Sequence, residues 1–452
     1  MSLAAAASYS VSIPEQAGMF AVRPWDLPTP VLLPDGSLIR THYDGKALVV
    51  SRLAVGGIDA IWTHTLSAPQ TVASPTKETY AAVASLSGCS PWMVAADAEF
   101  TRIFAGFGTG STTVVLATKT GKVAVEKTTP NNGFSGVLKA ELSDVFAAVS
   151  SNADQLDVQS YDGKGNAVAA VTAKVTPRQF DAIMPMWVLK GQADSALGTD
   201  GTAALAVGEG KGRLHLERWT AKGETQVGRT LIDGFTEEIA LLQRPDGSTL
   251  TILRASKPGP GFATTDFVAC VAPAGTTLDA TCRPFGLEQI VGKSVGRFAE
   301  VSSEPTGEGG VILALQEIKD MIGQSNVTRI RGDILLVAVG PDGAVAWHTQ
   351  VPFKTSSPIS FAADNIVAPA SLIREGAVVT LVTAAPFGGI FNQQWHLEAA
   401  PFDLASGAMS PARWKRDTDH VPVTRSLMCA GTHCSMIEAR SDEAKIVVFP
   451  SI

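Results

Sequence analysis

Charge is scarce in this chain. Asp, Glu, Lys and Arg make up 17 % of the 452 residues and aromatic residues 7 %, and the net charge is −7. An acidic chain argues against a nucleic-acid-binding surface, because such surfaces concentrate Lys and Arg along the phosphate track. No segment reaches the roughly 18 consecutive apolar residues that a membrane helix needs. No basic residue precedes Arg23, and Leu3–Ala7 is too short for the apolar core of a secretory leader. Helical periodicity is nearly absent as well. The seven histidines show no H-x-x-x-H or HExxH spacing, and no Ser-x-Asp-x-Gly-x-x-x-Trp box occurs. Both absences turn the reading away from motif-encoded metalloenzymes and sialidase-type glycosidases.

What is present is short apolar alternation punctuated by glycine. Hydrophobic residues are 45 % of the chain, and there are 42 Gly and 26 Pro. Apolar residues recur with a period of two over short runs, the signal of strands and turns. One strand–turn–strand unit returns along the whole sequence, beginning at Ala47, Thr113, Gln155, Arg213, Asp266, Asp333 and Gln394. An eighth copy from Ala444 stops after its first strand. Gly57, Gly121, Gly165, Gly223, Gly275, Gly343 and Gly407 stand at the same point of each complete copy, where a positive φ closes the hairpin. The seven steps from Ala47 to Ala444 give a period of about 57 residues, and four strands repeated at that spacing signify a β-propeller.

Each unit divides into four strands, A to D. The expected fold is a single all-β domain over residues 1–452. It is a propeller of eight four-stranded blades, with seven as the alternative because the second unit is hard to parse. The last unit, 421–452, supplies strands A, B and C and then runs out of chain. Residues 18–22 (GMFAV) are the expected closing strand, pairing the N-terminus with that last blade so that no sheet edge stays open.

The strand C–turn–strand D segment resembles the repeat of the PQQ-type eight-bladed propellers, a group that includes the outer-membrane assembly lipoproteins. The residues that carry the resemblance are Gly340-Pro-Asp-Gly-Ala-Val-Ala-Trp347 and Tyr161-Asp-Gly-Lys-Gly165, with Trp62 at the matching place in the first unit. The resemblance implies an eight-bladed propeller of the cell envelope. Quinone-dependent dehydrogenases of that group carry an adjacent Cys-Cys pair and an acidic calcium site. The sequence has neither, so no quinone cofactor is expected.

Several short motifs have a functional and an ordinary reading. Gly292-Lys-Ser-Val-Gly296 spells a hydrolase nucleophile elbow, which requires a strand-to-helix turn. No helix pattern follows it, so a connecting loop is the better reading. Arg331-Gly332-Asp333 opens a C strand, and Asn326-Val327-Thr328 is a glycosylation sequon that matters only in a glycosylating host. His64, His215, His348 and His396 fall on C or D strands, away from the axis. Asp417, Asp419 and His420 are the most metal-like local group, a candidate for a divalent cation such as calcium, with a solvated loop as the ordinary reading.

Loop lengths distinguish the two faces. A–B and C–D turns lie on one face and are mostly short. B–C and D–A connections lie on the other and are longer, which is where binding residues concentrate on a rigid β scaffold. In units five to seven the B–C connections carry Phe262, Met321, Ile322, Phe387, Ile390 and Phe391. These form the expected apolar patch for a protein or glycan partner, the alternative being that they fold back onto the channel or their own blade. The functional expectation is a binding or scaffold propeller without catalytic activity. An enzyme with a composite metal-assisted site at the central channel, a hydrolase or lyase, is the alternative.

Five cysteines bear on the compartment. Cys270 and Cys282 flank one hairpin turn symmetrically, and Cys429 and Cys434 flank another. Directly opposed positions of a hairpin bring side chains within disulfide reach. The expectation is two disulfides with Cys89 left as a buried thiol, and buried free thiols throughout are the alternative. Disulfides imply a periplasmic or secreted protein whose leader is missing from the numbered chain, while free thiols return it to the cytoplasm. Alkylation and intact mass of unreduced, denatured protein should therefore count one reactive thiol of five; a count of five refutes the pairing.

Overall fold

The computed structural model describes residues 8–12, 29–43, 47–57, 59–67, 92–106, 110–130, 135–140, 143–152, 155–174, 193–208, 213–222, 224–231, 235–255, 266–275, 279–293, 295–322, 327–353, 370–375, 378–388, 394–412, 414–439 and 444–450. They form an all-β fold in which strands succeed one another as four-stranded antiparallel meanders. Strand β1 (Tyr9–Ser12) comes first and stands apart. Sheet I contains β2 (Val31–Leu32), β3 (Leu38–Tyr43), β4 (Ala47–Leu53) and β5 (Ala60–Ser67). Sheet II contains β6 (Trp92–Ala96), β7 (Phe100–Gly106), β8 (Gly110–Ala117) and β9 (Val123–Pro130). Sheet III follows with β10 (Ser135–Lys139), β11 (Phe146–Asn152), β12 (Gln155–Tyr161) and β13 (Ala167–Lys174). In sheet IV the strands are β14 (Ala193–Leu197), β15 (Ala203–Gly208), β16 (Arg213–Trp219) and β17 (Thr225–Leu231).

Sheet V has β18 (Phe235–Gln243), β19 (Thr249–Ala255), β20 (Asp266–Ala272) and β21 (Thr281–Gly286). A single helical turn, α1 (Leu287–Val291), leads to sheet VI. There the strands are β22 (Arg297–Pro305), β23 (Val311–Ile322), β24 (Val327–Val339) and β25 (Val345–Val351). Sheet VII has β26 (Ala370–Glu375), β27 (Val378–Phe387), β28 (Gln394–Phe402) and β29 (Trp414–Thr418). Sheet VIII takes β30 (Val421–Ala430), β31 (His433–Ala439) and β32 (Ala444–Pro450), and its fourth strand is β1. Among the described residues no helix is long and apolar enough to cross a membrane.

The first strand of each sheet touches the first strand of the next, from β2 through β30, and β30 touches β2. The sheets therefore form a closed ring with their first strands innermost, a β-propeller with four-stranded blades. Apolar residues from neighbouring sheets interleave between them. Leu313, Leu315, Leu335 and Val337 of sheet VI join Leu250, Ile252, Phe267 and Ala269 of sheet V in one buried cluster. Sheet VII packs against sheet VIII through Trp395, Leu397 and Trp414 on one side and Met436 and Phe449 on the other. Each sheet buries both of its faces this way, which is why its strands combine dense apolar runs with few charges.

The closing strand differs from the expected one. Tyr9–Ser12 pairs antiparallel with β32, from Tyr9 opposite Val448 to Ser12 opposite Lys445. Val11 is buried in the same cluster as Leu48 and Val50 of sheet I. The Tyr9 hydroxyl donates to the Gly36 carbonyl at 3.0 Å, and Arg40 donates to the Ser12 carbonyl at 3.2 Å. The edge of β32 is thus occupied by residues upstream of the Gly18–Val22 run, which itself lies outside the described residues.

The turn glycines explain how one sheet seats on the next. Gly57, Gly121, Gly165, Gly275, Gly343 and Gly407 all take positive φ, as expected, and Gly223 lies outside the described residues. At Gly121, with φ of 68°, an added Cβ would lie 2.6 Å from the ring of Trp62, which comes from the last strand of the preceding sheet. The same indole donates to the Thr118 carbonyl at 2.8 Å. Trp347 repeats the arrangement one joint before the end of the ring, against Gly407 and the Leu404 carbonyl at 2.8 Å. A register shift in the ladder precedes each of these tryptophans, between Arg52 and Leu53 and between Ala338 and Val339. Such a bulge re-aims the residue that follows it.

Gly121→Ala should therefore lower stability by about 2–4 kcal/mol, because the new methyl meets a buried ring in a backbone conformation that L residues avoid. Gly307→Ala, where nothing lies within 4 Å of an added Cβ, should stay within about 0.5 kcal/mol of the parent. Denaturant midpoints of the two variants check this; equal midpoints would contradict the seating rule.

Candidate functional site

Antiparallel meanders place all A–B and C–D turns on one face of the ring and all B–C and D–A connections on the other. The two faces differ in chemistry. On the turn face, several of the tight turns carry an Asp whose carboxylate accepts the backbone N–H two residues on. Asp35 does so from Ser37, Asp200 from Thr202, Asp246 from Ser248 and Asp342 from Ala344. These are Asx turns, the reason Asp recurs there.

Buried arginines join these turns across the joints. Arg52 donates to Asp35 at 2.5 Å and to Ser37 at 3.0 Å in its own sheet, and to the Thr118 carbonyl of sheet II at 2.9 Å. Arg102 binds Asp97 at 2.6 Å in sheet II and the Gly163 carbonyl of sheet III. Arg244 binds Ser248 at 3.2 Å and the Gly309 carbonyl of sheet VI at 2.6 Å. Arg374 of sheet VII reaches back to Glu304 of sheet VI at 2.8 Å.

Hydrogen bonding holds the Asp35 and Asp246 carboxylates below the usual range. At Asp246 the Ser248 hydroxyl is the largest cause, opposed by burial and aided by Arg244. At Asp35 burial pushes upward, but the bonds from Ser37 together with Arg52 outweigh it. Burial in turn lowers Arg218 and Arg244. The bonds of this network run within turns and across joints, so the network holds sheets together. The sequence reading missed it. Its trace was the Pro-Asp-Gly-Ser spelling at 34–37 and 245–248, where the Ser hydroxyl joins the Asp.

On the opposite face the connections are long. They span 68–91 between β5 and β6, 175–192 between β13 and β14, and 352–369 between β25 and β26. The first ends only at Trp92, where sheet II begins. Sheets V, VI and VII are consecutive in the ring, so their B–C connections share one sector of this face. Phe262, Ile390 and Phe391 lie outside the described residues. Phe387 ends β27 opposite Gln394 and is partly exposed. Met321 and Ile322 differ from expectation in belonging to a strand: β23 runs on through Ile322, paired with Val327, and only 323–326 remain as loop.

The structure does not bring Asp417, Asp419 and His420 together as a metal site. Asp417 sits opposite His396 in the β28–β29 ladder and contacts its Nδ1 at 2.6 Å. Asp419 contacts Nδ1 of the adjacent His420 at 2.7 Å, and the His420 amide donates to the Thr418 hydroxyl at 3.2 Å. Each carboxylate is thus engaged by a different imidazole. Among the described residues no group of three or more His, Cys, Asp or Glu side chains could hold a metal ion. Nearby, the fully buried Glu438 lies 2.9 Å from Arg416 and 3.8 Å from Lys445, an ion triad at the joint of sheets VII and VIII.

The remaining motifs fall into strands and connections. Helix α1 precedes the Gly292–Gly296 segment, Gly292 caps it at φ 73°, and β22 follows, so the strand–turn–helix order of an elbow is reversed. Ser294 and Asn326 lie outside the described residues. Arg331-Gly332-Asp333 is in the interior of β24, where Asp333 accepts from Gln350 at 2.9 Å and from the Phe353 amide at 3.1 Å. His64, His215, His348 and His396 sit on third or fourth strands as expected.

Both hairpin disulfides are present. Cys270 is directly opposite Cys282 and Cys429 directly opposite Cys434, each pair with Cα atoms 4.0 Å apart. Two disulfides point to an oxidising environment.

No protein-family model matches the chain, and no curated protein matches it. Solved structures similar to it include the WD40 domain of SCAP from fission yeast, 9 % identical, with 98 % of this chain and 93 % of that chain covered and a TM-score of 0.40. The Dos1 propeller is 10 % identical over 78 % of this chain and 76 % of its own, with a TM-score of 0.40. A prolyl endopeptidase is 11 % identical over 92 % of this chain and 54 % of its own, with a TM-score of 0.41. Likeness at this level carries no functional assignment.

Proposed function

We propose that the chain is a non-catalytic binding or scaffold propeller of the periplasm or the extracellular space, which engages a protein or glycan through its long-connection face. The observation that carries this reading is the division between the faces. On the turn face Arg52, Arg102, Arg244 and Arg374 are engaged at the joints, while the longest connections fall on the other face. Long connections on a rigid β scaffold are where recognition concentrates. The two disulfides support the compartment, as does the resemblance of the Gly340–Trp347 segment to the envelope lipoprotein repeat.

Within that face the sector of sheets V to VII is the proposed contact, with Phe387 as its partly exposed anchor and Phe262, Met321, Ile322, Ile390 and Phe391 completing it. Burying one large apolar side chain contributes about 1.5–3 kcal/mol, or roughly tenfold or more in affinity. Partners cross-linked from an envelope or culture-medium fraction should bind Phe387→Ser/Phe391→Ser at least about tenfold more weakly than the parent. Val55→Ser, at the 60 % exposed Val55 on the turn face, should bind as the parent does. Full retention by the double variant would refute the reading.

A further inference from the structure

The two disulfides close different kinds of turn. Cys270 and Cys282 belong to a ladder between β20 and β21 that runs without a break from Asp266 opposite Gly286 to Val271 opposite Thr281. In their turn, an added Cβ at Gly275 meets nothing within 4 Å. Cys429 and Cys434 belong to an interrupted ladder. β30 pairs with β31 from Val421 to Val423, then residues 424–427 bulge away, and pairing resumes only at Met428–Ser435, Cys429–Cys434 and Ala430–His433. Within the bulge the Ser426 hydroxyl donates to the Val423 carbonyl at 2.7 Å and accepts from the Ile437 amide at 2.8 Å. The last three pairs are therefore cut off from the rest of β30, and the disulfide is the covalent tie across the middle one.

That end of β30 lies where the ring closes. Met428 and Ala430 pack against the buried cluster that joins sheet VIII to sheet I, which also holds Val11 of β1 and Leu38 and Ile39 of β3. At Gly431, with φ of 59°, an added Cβ would lie 2.9 Å from the Pro34 carbonyl. One at Gly36 would lie 3.5 Å from the ring of His433, and the Gly36 carbonyl is the acceptor of the Tyr9 hydroxyl. The turn closed by Cys429 and Cys434 thus rests on the Pro34–Gly36 turn of sheet I, beside the closing strand. Cys434 is fully buried and Cys429 half-buried.

We infer that the Cys429–Cys434 disulfide is a redox-sensitive clasp on ring closure: oxidised, it holds residues 428–432 on sheet I, and reduced by a dithiol, it releases them and loosens β1. The thiolate of the dithiol attacks the Cys429 sulfur, on the less buried of the two residues. The protein's S–S bond breaks as a mixed disulfide forms, and Cys434 leaves as a thiolate that takes up a proton. The second thiol of the reductant then displaces Cys429. Two electrons pass to the protein, which ends with two thiols, and the reductant ends as its own disulfide. Three pairs beyond a bulge must then hold the turn unaided, whereas the ladder around Cys270 and Cys282 is unbroken. The clasp lies on the turn face and does not depend on what the long-connection face binds.

Peptide-level hydrogen exchange on Cys270→Ser/Cys282→Ser, which keeps only the Cys429–Cys434 pair, isolates the clasp. The probe is dithiothreitol, with alkylation of Cys429 and Cys434 marking reduction. Reduction should speed exchange at least about tenfold in 9–12, 33–37 and 428–432 while 334–339 keep their protection, and reoxidation should restore it. In the parent, with both pairs reduced, the same segments should loosen and 266–272 stay protected. Cys429→Ser/Cys434→Ser should show the faster exchange without dithiothreitol and no response to it. Unchanged exchange in 9–12 and 33–37 once the pair is reduced overturns the inference. So does a loss that spreads to 334–339 or persists after reoxidation, and so does the same loosening in Cys270→Ser/Cys282→Ser before dithiothreitol is added.

Discussion

A ring of sheets that each touch only their neighbours depends on every joint, and in this protein the joint between the chain ends is completed by four residues. Tyr9–Ser12 complete the sheet begun by β30, β31 and β32, and they also form the surface on which sheet I rests. Gly57, in the turn between β4 and β5, approaches Val11 and Tyr9 as Gly121 approaches Trp62. The joint between the chain ends is therefore the same kind of joint as the others, with one partner supplied from the N-terminus. Without β1, β32 would present an open ladder and the turn of sheet I would lose its seat. The Tyr9 hydroxyl donating to the Gly36 carbonyl and Arg40 donating to the Ser12 carbonyl tie the short strand to sheet I, offsetting the small area that four residues can bury.

The division of labour between faces follows from this construction. At Gly57, Gly121, Gly165, Gly343 and Gly407 a turn of one sheet seats on the preceding one, so turn-face residues there are constrained by geometry: Gly at positive φ, Asp to order the turn, Arg to span the joint. The connections on the other face carry no such duty. They can lengthen without disturbing the ring, because the cost of closing a loop grows slowly with its length. That freedom allows β23 and β24 of sheet VI to go on pairing beyond their neighbours.

Much of the architecture was legible because the joint imposes a repeating signal. The strands starting at Ala47, Gln155, Arg213, Asp266, Gln394 and Ala444 begin where the alternation places them, and the turn glycines among the described residues close their hairpins at positive φ. The half-cystine pairs were legible for the same reason, since the hairpin turn fixes which residues face each other. The closing strand was not. Only Val11 of Tyr-Ser-Val-Ser is deeply buried, so its composition looks weaker than the apolar Gly18–Val22 run although its position is the one used. Met321 and Ile322 belong to the ladder rather than to the expected connection, because β23 goes on pairing with β24 through Ile322. The paired imidazoles of His396 and His420 depend on ladder register and on a side-chain rotamer, neither of which spacing encodes.

The closure at Tyr9–Ser12 is open to one direct measurement, peptide-level hydrogen exchange on the parent, Val11→Asp and Phe20→Asp. If β1 closes the ring, Val11→Asp releases protection in residues 444–450 and in the turn 54–59, while 334–339 of sheet VI stay protected and Phe20→Asp matches the parent. Loss of protection in 444–450 on Phe20→Asp, with Val11→Asp unchanged, would contradict the account and give the closing position to the Gly18–Val22 run.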